Sequence, residues 1–392
     1  MQKIIIVINN MSTGGIQKSL IALLNEIKDF YTIDMLIFNH QGEYINDIPK
    51  KVNIIKENKF LKILGMNQKD SKKCGIFYYF FRGILGIYSK IFNSFLPKRL
   101  LFVFTRKLRN YDVAISFTQN LGDKILAVGC NEYILKKVQA KKKVTFVHCD
   151  FENYDGNTKY NRKLYAKFNL IACVSNGCKE SFVKVLPNLK SKTVIVSNCH
   201  DFHDYKVKSE INTIIYNKNY FNIITVSRLS IEKGILRTID VITKLISEGF
   251  LIKWHIVGDG NLKNQIEKII IQKNLSNFIL LYGNQLNPYR FIKNADLFLL
   301  PSYHEAAPIV FQEANYLGVP ILTTETTSAY EMIKICETGW VCSNDINGIY
   351  NGLKEILLDK DKLLKCKDNV MKKNYSNFKA IIEFKKILEN DF

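Results

Sequence analysis

A chain of 392 residues is long for one ordinary domain and suits two of about 150 to 200 residues each, and its 47% apolar content is enough to fill two sizeable cores. The formal net charge of +20 points to an anionic partner, whether a nucleic acid, a membrane surface or a polyphosphate ligand, and composition does not choose among them. Nine cysteines, odd in number and without a C-x-x-C pair, exclude a disulfide framework and read as reduced thiols used as small hydrophobes.

The chain starts MQKIIIVINN, whose five consecutive apolar residues are too few for a secretory signal, so a cytoplasmic protein opening on a buried strand, Ile4 to Ile8, is expected. Asn10, Ser12, Thr13, Gly14 and Gly15 follow, and then a helical pattern of Ile16, Leu20, Leu23, Leu24 and Ile27. A strand, a glycine loop and a helix can cradle phosphate, because glycine lets the backbone approach closely and the helix start is electropositive. The loop is not a G-x-G-x-x-G fingerprint, which removes support for a dinucleotide oxidoreductase.

Thr32 to Phe38 reads as the second strand. From Lys50 to Arg109, fifteen basic residues face only Glu57 and Asp70, and aromatics are interleaved with them. At helical spacing Arg82, Gly86, Ser89 with Lys90, and Asn93 form one narrow polar stripe on an otherwise apolar helix. A transmembrane span is excluded, since Arg82 and Lys90 would each cost about 2.5 to 3.5 kcal/mol at the bilayer centre. Either the stripe faces water and the rest packs in the core, or the helix lies in a membrane interface with its basic residues on anionic headgroups. Without an RNA-recognition motif, nucleic acid is not an expected partner.

Tyr111 to Phe117 and Lys143 to Val147 are further strands, the latter running into His148, Cys149 and Asp150. Leu170 to Val174 precedes a helix capped by Ser175, and Thr193 to Asn198 closes the first domain. The polar stretch Cys199 to Tyr220 reads as a solvated linker, its H-D-x-H-D spacing being unsuited to a metal site. The second domain opens with the strand Asn222 to Val226 and the loop SRLSIEKGI, in which Arg228 and Lys233 bring two cations to one crevice. Trp254 to Asn261 is a strand and turn with Gly258 and Gly260, and LLYGNQLNPY spans Leu280 to Tyr289. Leu297 to Leu300 is a buried strand, Pro301 to Ala307 a loop, and Pro308 opens a helix that stops near Gly318. Glu305 before this helix and Glu313 in its second turn bracket the carboxyl end of a strand, where doubly wound sheets bind ligands. Trp340 to Asn344 is a last strand, and Phe378, Ile381, Ile382, Phe384 and Ile387 give the tail helical spacing.

SYHEAAPIVFQEANYLGVPIL closely resembles the signature of family-four retaining glycosyltransferases, in the variant that builds capsular and other surface polysaccharides. SRLSIEKG and TFVHCDF resemble further motifs of that family. The resemblance is strong in the second domain and scattered in the first. It implies a GT-B fold: two Rossmann-like doubly wound α/β domains facing a central cleft, with a C-terminal helix crossing back to the first. The expected limits are 1–205 for an acceptor-side domain carrying a basic membrane-facing region (about 50–110), 206–376 for a nucleotide-sugar domain, and 377–392 for the returning helix.

The resemblance further implies transfer of a hexose or N-acetylhexosamine from a nucleotide-diphosphate sugar, UDP rather than GDP, to a lipid-linked or oligosaccharide acceptor, with retention and without metal or cofactor. Arg228 and Lys233 would hold the diphosphate, Glu313 the ribose hydroxyls and Glu305 the sugar hydroxyls. The backbone of Ala306, Ala307, Pro308, Ile309 and Val310 would meet phosphate and sugar, Gly258 would let the backbone close on the ligand, and the segment around Asn287 would meet the base. Gly14 and Gly15 would lie between donor phosphates and acceptor, His148 near the donor sugar and Asp150 on the acceptor side. The family commonly has Gly then Phe where this chain has Ala306 and Ala307. Because its acceptors are often lipid-linked, the anionic membrane interface is the preferred reading of the basic segment, making the protein peripheral on the inner face of the cell membrane. The alternatives are a nucleotide-sugar 2-epimerase of the same fold, or an inactive nucleotide-binding scaffold at the membrane.

Overall fold

The computed structural model describes residues 1–56 and 58–389. Glu57, one of the two acids in the basic segment, and residues 390–392, the end of the expected terminal segment, lie outside them. The chain forms two compact units, one from Met1–His200 together with the chain from Asn377, the other from Asp201–Ser376.

The first unit holds a wholly parallel seven-stranded sheet in the order β3-β2-β1-β4-β5-β6-β7. Its strands are β1 (Lys3–Ile8), β2 (Thr32–Ile37), β3 (Asn53–Ile54), β4 (Leu108–Ser116), β5 (Val138–Val147), β6 (Leu170–Cys173) and β7 (Thr193–Ile195). Helices α1 (Gly15–Ile27), α2 (Lys59–Gly65), α3 (Gln68–Lys73), α4 (Ile76–Ile91), α5 (Phe95–Val103), α6 (Cys130–Lys137), α7 (Lys159–Tyr165) and α8 (Asn176–Val185) accompany it. β1 is the continuous apolar run that a strand covered on both faces requires, and it pairs with β2 on one side and β4 on the other.

The second unit repeats the scheme with six parallel strands in the order β10-β9-β8-β11-β12-β13. It comprises α9 (Phe202–Glu210), β8 (Phe221–Val226), α10 (Ile235–Ser247), β9 (Ile252–Val257), α11 (Lys263–Gln272), β10 (Ile279–Leu281), α12 (Tyr289–Ile292), β11 (Leu297–Leu300), α13 (Ile309–Tyr316), β12 (Ile321–Thr324), β13 (Gly339–Cys342), α14 (Ile346–Leu358) and α15 (Lys360–Lys372). Alternate residues of β11 supply the two faces: Leu297 and Leu299 join the core with Ile239, Ile242 and Leu353, while Phe298 and Leu300 join the core with Phe291 and Phe311. In each unit the strand order reverses beside the first strand, at β1/β4 and at β8/β11, and ligands of doubly wound folds bind beyond the carboxyl ends of such strands. The doubly wound α/β class expected from the sequence is therefore present twice.

The last helix, α16 (Phe378–Glu389), belongs to the first unit, as a returning helix must. Its Phe384, Ile387 and Leu388 are buried, Glu383 accepts from the Ser197 N–H at 2.8 Å, and the Leu388 carbonyl accepts from Gln2 at 3.2 Å. Asn377 bonds His200 in both directions, at 2.9 and 2.8 Å.

Two expectations are corrected. The stretch Cys199 to Tyr220 is not simply a solvated linker, because it contains α9: the Asp201 carboxylate caps the helix by accepting from the Asp204 N–H at 2.9 Å, and buried Tyr205 packs on Tyr289 with ring centroids 4.9 Å apart. With so few apolar residues the helix leaves no periodic trace in the sequence, and the change of unit falls at His200/Asp201, before the 205/206 boundary.

The second correction concerns α4, whose polar stripe does not face water as a whole: Arg82 and Ser89 turn into the protein, while Lys90 stays exposed. Arg82 donates to the carbonyls of Met66 at 2.9 Å and Leu126 at 3.0 Å and to Gln68 at 3.2 Å, and Ser89 is buried with its hydroxyl on Leu85. This part of the stripe is turned inward because α2 ends at Gly65, leaving the Met66 carbonyl in need of a donor that a long guanidinium can supply.

Beside it, Lys98 of α5 and Glu132 of α6 form a buried pair at 3.2 Å, with the other carboxylate oxygen accepting from Asn120 at 2.8 Å. Glu132→Ala leaves the Lys98 ammonium buried without its counter-charge and is expected to lower stability by about 3 to 5 kcal/mol in a urea unfolding experiment. The double change Lys98→Met with Glu132→Leu should recover part of that loss, and an undiminished midpoint in the single variant would exclude a stabilising role for the pair.

Candidate active site

At the reversal point of the second unit, β8 runs into Ser227, Arg228, Leu229 and Ser230, a tight turn over Ile231–Lys233, and Gly234. Gly234 has φ +68°, and a Cβ there would lie 2.0 Å from the Pro301 carbonyl oxygen, so only glycine lets this turn press on the end of β11. The approach sets Lys233 against the loop after β11: its Nζ lies 2.5 Å from Glu305 Oε1, which also accepts from the Ser302 hydroxyl at 2.7 Å. Lys233 and Glu305 side chains are only 15% and 11% exposed, so solvent screens their attraction weakly. Arg228 from the same turn is 77% exposed and pairs with Glu232 at 3.3 Å. Burial pushes the Glu232 carboxyl up, but hydrogen bonds from Ser230 and the main chain, with the charges of Arg228 and Lys233, hold it below its ordinary range.

After Glu305 the chain passes Ala306, Ala307 and Pro308 into α13, with Ala306, Pro308 and Ile309 buried and Ala307 and Val310 partly so. The residues of positive φ include neither alanine, so the substitution of Gly-Phe by Ala-Ala introduces no backbone strain. Glu313, one turn further along α13, is wholly buried, and the Tyr289 hydroxyl lies 3.4 Å from its Oε1. The two glutamates thus have different surroundings, Glu305 against the cation turn and Glu313 beneath α12. Gly258 follows β9 with φ +147°, and a Cβ there would lie 1.8 Å from the Ser227 carbonyl oxygen. Asn287 holds the loop between β10 and α12 by donating to the Lys208 carbonyl of α9 at 2.7 Å.

Sequence reading passed over Arg237, which organises this end of the sheet. It reaches from α10 to donate to the carbonyl of Pro301 at 2.8 Å and to both oxygens of Asn344, at 3.0 and 2.6 Å, while its guanidinium lies 3.8 Å from the Tyr303 ring centre. Asn344 in turn donates to the carbonyls of Tyr303 and Glu325. The loops after β11, β12 and β13 are thereby tied to one cation. The available signal was a basic residue on the apolar, buried face of an amphipathic helix, where charge is expensive unless partnered.

In the first unit, α1 starts at Gly15, after β1 and the loop through Gly14, and Gly14 takes an ordinary extended conformation. The Thr13 N–H donates to Glu43 at 2.8 Å. Burial raises the Glu43 carboxyl, but hydrogen bonds from its own main chain and from Thr13 prevail and hold it low, so a carboxylate sits at the glycine loop. Glu43 also escaped sequence reading, since its loop has no periodicity.

His148 follows β5, its ring centre 5.1 Å from that of Phe117 and 5.7 Å from that of Phe146, and its main-chain N–H donates to the Gln119 side-chain oxygen at 3.2 Å. Burial lowers its pKa to about 4 against the opposing hydrogen bond to Phe117, so near neutral pH the ring is an uncharged hydrogen-bonding group. Asp150 accepts from Ser181 at 2.5 Å and Asn153 at 2.8 Å, which uses both carboxylate oxygens to shape the loop.

Residues 208–373 match the family model described as glycosyl transferases group 1. An uncharacterized glycosyltransferase of Methanocaldococcus jannaschii is 32% identical over 148 residues, 35% of each chain. The Escherichia coli UDP-Gal:alpha-D-GlcNAc-diphosphoundecaprenol alpha-1,3-galactosyltransferase is 29% identical over 217 residues, 53% of this chain and 54% of that one. Other relatives are named for capsular, colanic acid and amylovoran biosynthesis. In the first of these relatives the matched segment spans about a third of its length, 35%. Among solved structures, Anabaena Alr3699/HepE in complex with UDP and glucose superposes with a TM-score of 0.68 over 99% of both chains at 16% identity, which establishes the shared fold. The chain therefore has the GT-B class of two Rossmann-like domains.

Three histidines are held neutral: burial lowers His148 to about 4, His255 to about 4 and His200 to about 3. The unfolded chain takes up these protons near pH 6.5 and the folded chain only at the lower values, so this contribution to stability is intact above about pH 6.5 and declines down to about pH 4 to 3. Unfolding followed between pH 7.5 and 4 should accordingly show a steeper loss for the wild type than for His200→Gln, by close to one proton. Equal slopes would overturn a buried neutral His200.

Proposed function

We propose that the chain is a retaining glycosyltransferase that moves a hexose or N-acetylhexosamine from a nucleotide-diphosphate sugar, a UDP-sugar, to a lipid-linked or oligosaccharide acceptor in bacterial surface polysaccharide synthesis. The observation that carries this reading is the Lys233–Glu305 pair at the β8/β11 reversal point, inside the segment that matches group 1 glycosyltransferases. The E. coli relative named for UDP-Gal and a diphosphoundecaprenol acceptor supports the donor and the lipid linkage. The same reading puts the protein in the cytoplasm, peripheral on the inner face of the membrane where such an acceptor presents its headgroup. It calls for no metal and no cofactor.

Without donor, Lys233 is neutralised by Glu305 at 2.5 Å. A donor diphosphate offers the ammonium a second anionic partner, with Arg228 reaching it from the exposed side of the same turn. As the bond from the anomeric carbon to the phosphate oxygen breaks, the electron pair goes to that oxygen, and cations already in place stabilise it without reorganising. Glu305 orients the sugar hydroxyls, and N–H groups at the start of α13 favour the anionic end of the donor. Glu313 accepts from the ribose hydroxyls. The acceptor oxygen bonds to the anomeric carbon on the face that the phosphate leaves and gives its proton to the departing phosphate oxygen, so that configuration is retained and no enzymic nucleophile is required. Arg237 holds the Pro301 end of the loop that carries Glu305, and His148 is kept as an uncharged hydrogen-bonding group at the end of β5.

Lys233→Ala is expected to reduce transfer by about 10² to 10³-fold with an unaltered circular dichroism spectrum; a near-normal rate would remove its phosphate role. Glu313→Gln should weaken UDP binding by about 1.5 to 3 kcal/mol in calorimetry, the worth of hydrogen bonds to a charged acceptor, and unchanged affinity would exclude the ribose contact.

A further inference from the structure

The inward turn of Arg82 decides what α4 shows to the outside. Ile76, Phe77, Phe80, Ile84, Ile87 and Ile91 lie on one side of the helix, and each is more than half exposed, from 56% for Phe77 to 77% for Ile76. α5 packs against α4 and adds Leu96, Leu100 and Val103 at helical spacing, followed by Phe104, all exposed. Single exposed apolar residues are ordinary; a continuous band over two adjoining helices marks an interaction surface. Neither helix can roll to hide it, because Arg82 is bonded to two carbonyls on the inner side of α4 and Lys98 to the buried Glu132 on the inner side of α5.

The charge around the band identifies what covers it. Lys72 and Lys73 precede α4, Lys90 lies in its last turn, Arg99 is on α5, and Arg106 and Lys107 follow; all six are exposed. The only acid from residue 58 to 109 is Asp70, which is hydrogen bonded to Asn67. A second copy of this chain would bring a like basic rim against the first, whereas anionic headgroups complement it. No helix among the described residues is long and apolar enough to cross a membrane, which fits a pair of helices lying in the interface.

We propose that the outer side of α4 and α5 is a docking surface for an anionic bilayer, with the isoleucine and phenylalanine side chains inserted below the headgroups and the basic rim at phosphate level. This deepens the membrane location in the proposed function and rests on that reading for its purpose, although its geometry is independent of the transfer chemistry. It keeps the interfacial placement expected from the sequence, with basic residues on headgroups, but takes Arg82 out of the lipid-facing set, because its guanidinium is bonded inside the protein.

Flotation of the full chain with phosphatidylcholine vesicles, with and without phosphatidylglycerol, tests it. The wild type should float with the anionic vesicles and remain largely bound in about 0.5 M NaCl, where screening reaches to within about 4 Å, because insertion is apolar. Ile84→Asp with Ile87→Asp, at positions 64% and 62% exposed, should fold normally and bind at least about tenfold more weakly. Absence of wild-type binding would overturn the proposal, as would binding that salt abolishes and the aspartates leave intact, or a dimer in analytical ultracentrifugation that the aspartates dissociate. UDP calorimetry on the same proteins separates the two readings: vesicle binding without UDP binding defeats the transferase and leaves the surface standing, while UDP binding equal in wild type and variant with no flotation of either defeats only the surface.

Discussion

The side-by-side placement of β8 and β11 is the constraint on which the candidate site depends. Crossovers between parallel strands are right-handed, so a sheet that grows first to one side of β8 and then to the other must carry its helices on both faces and leave a gap where the direction changes. The turn after β8 and the loop after β11 open into that gap together. Lys233 and Glu305 are far apart in sequence yet meet at 2.5 Å because the strands that deliver them are neighbours. Gly234 completes the arrangement, since any side chain there would strike the Pro301 carbonyl and separate the two loops.

A second regularity is the use of guanidinium groups as internal fasteners. Arg237 gathers carbonyls from Pro301 and Asn344 under the Tyr303 ring, and Arg82 gathers those of Met66 and Leu126. Chain ends of strands and helices leave carbonyls that the ladder does not satisfy, and a planar group with five donors at the end of a long stem can serve several at once. In the second unit the consequence is a fixed position for the loop that carries Glu305. In the first it is an orientation, because holding the polar edge of α4 inward obliges its apolar edge to face out.

Buried polarity has a different effect at His148. Its ring lies among Phe117 and Phe146, where desolvation disfavours a proton, so the group offered at the end of β5 is a neutral imidazole. Glu43, by contrast, remains ionised at the glycine loop because N–H groups pay its desolvation cost. Two strand ends of one sheet, at β1 and at β5 with β4 between them, thus carry different charge states, set by how many donors each group finds.

Local pattern alone was sufficient for most of the strands, because buried parallel strands are continuous apolar runs, though it missed the short β3 and β10. The fold class and the motifs around Lys233, Glu305 and Glu313 were legible only through their resemblance to a family, which a loop between strand and helix preserves by keeping its residues together in sequence. Local pattern was insufficient for α9, whose cap at Asp201 and contact at Tyr205 leave no period to detect, and for Arg237 and Glu43, whose partners are remote in the chain. Pattern also identified the polar stripe of α4 but not the side to which it turns. An amphipathic helix specifies two faces and says nothing about which of them meets the protein; that was decided by the carbonyls of Met66 and Leu126, which only the tertiary fold brings within reach of Arg82.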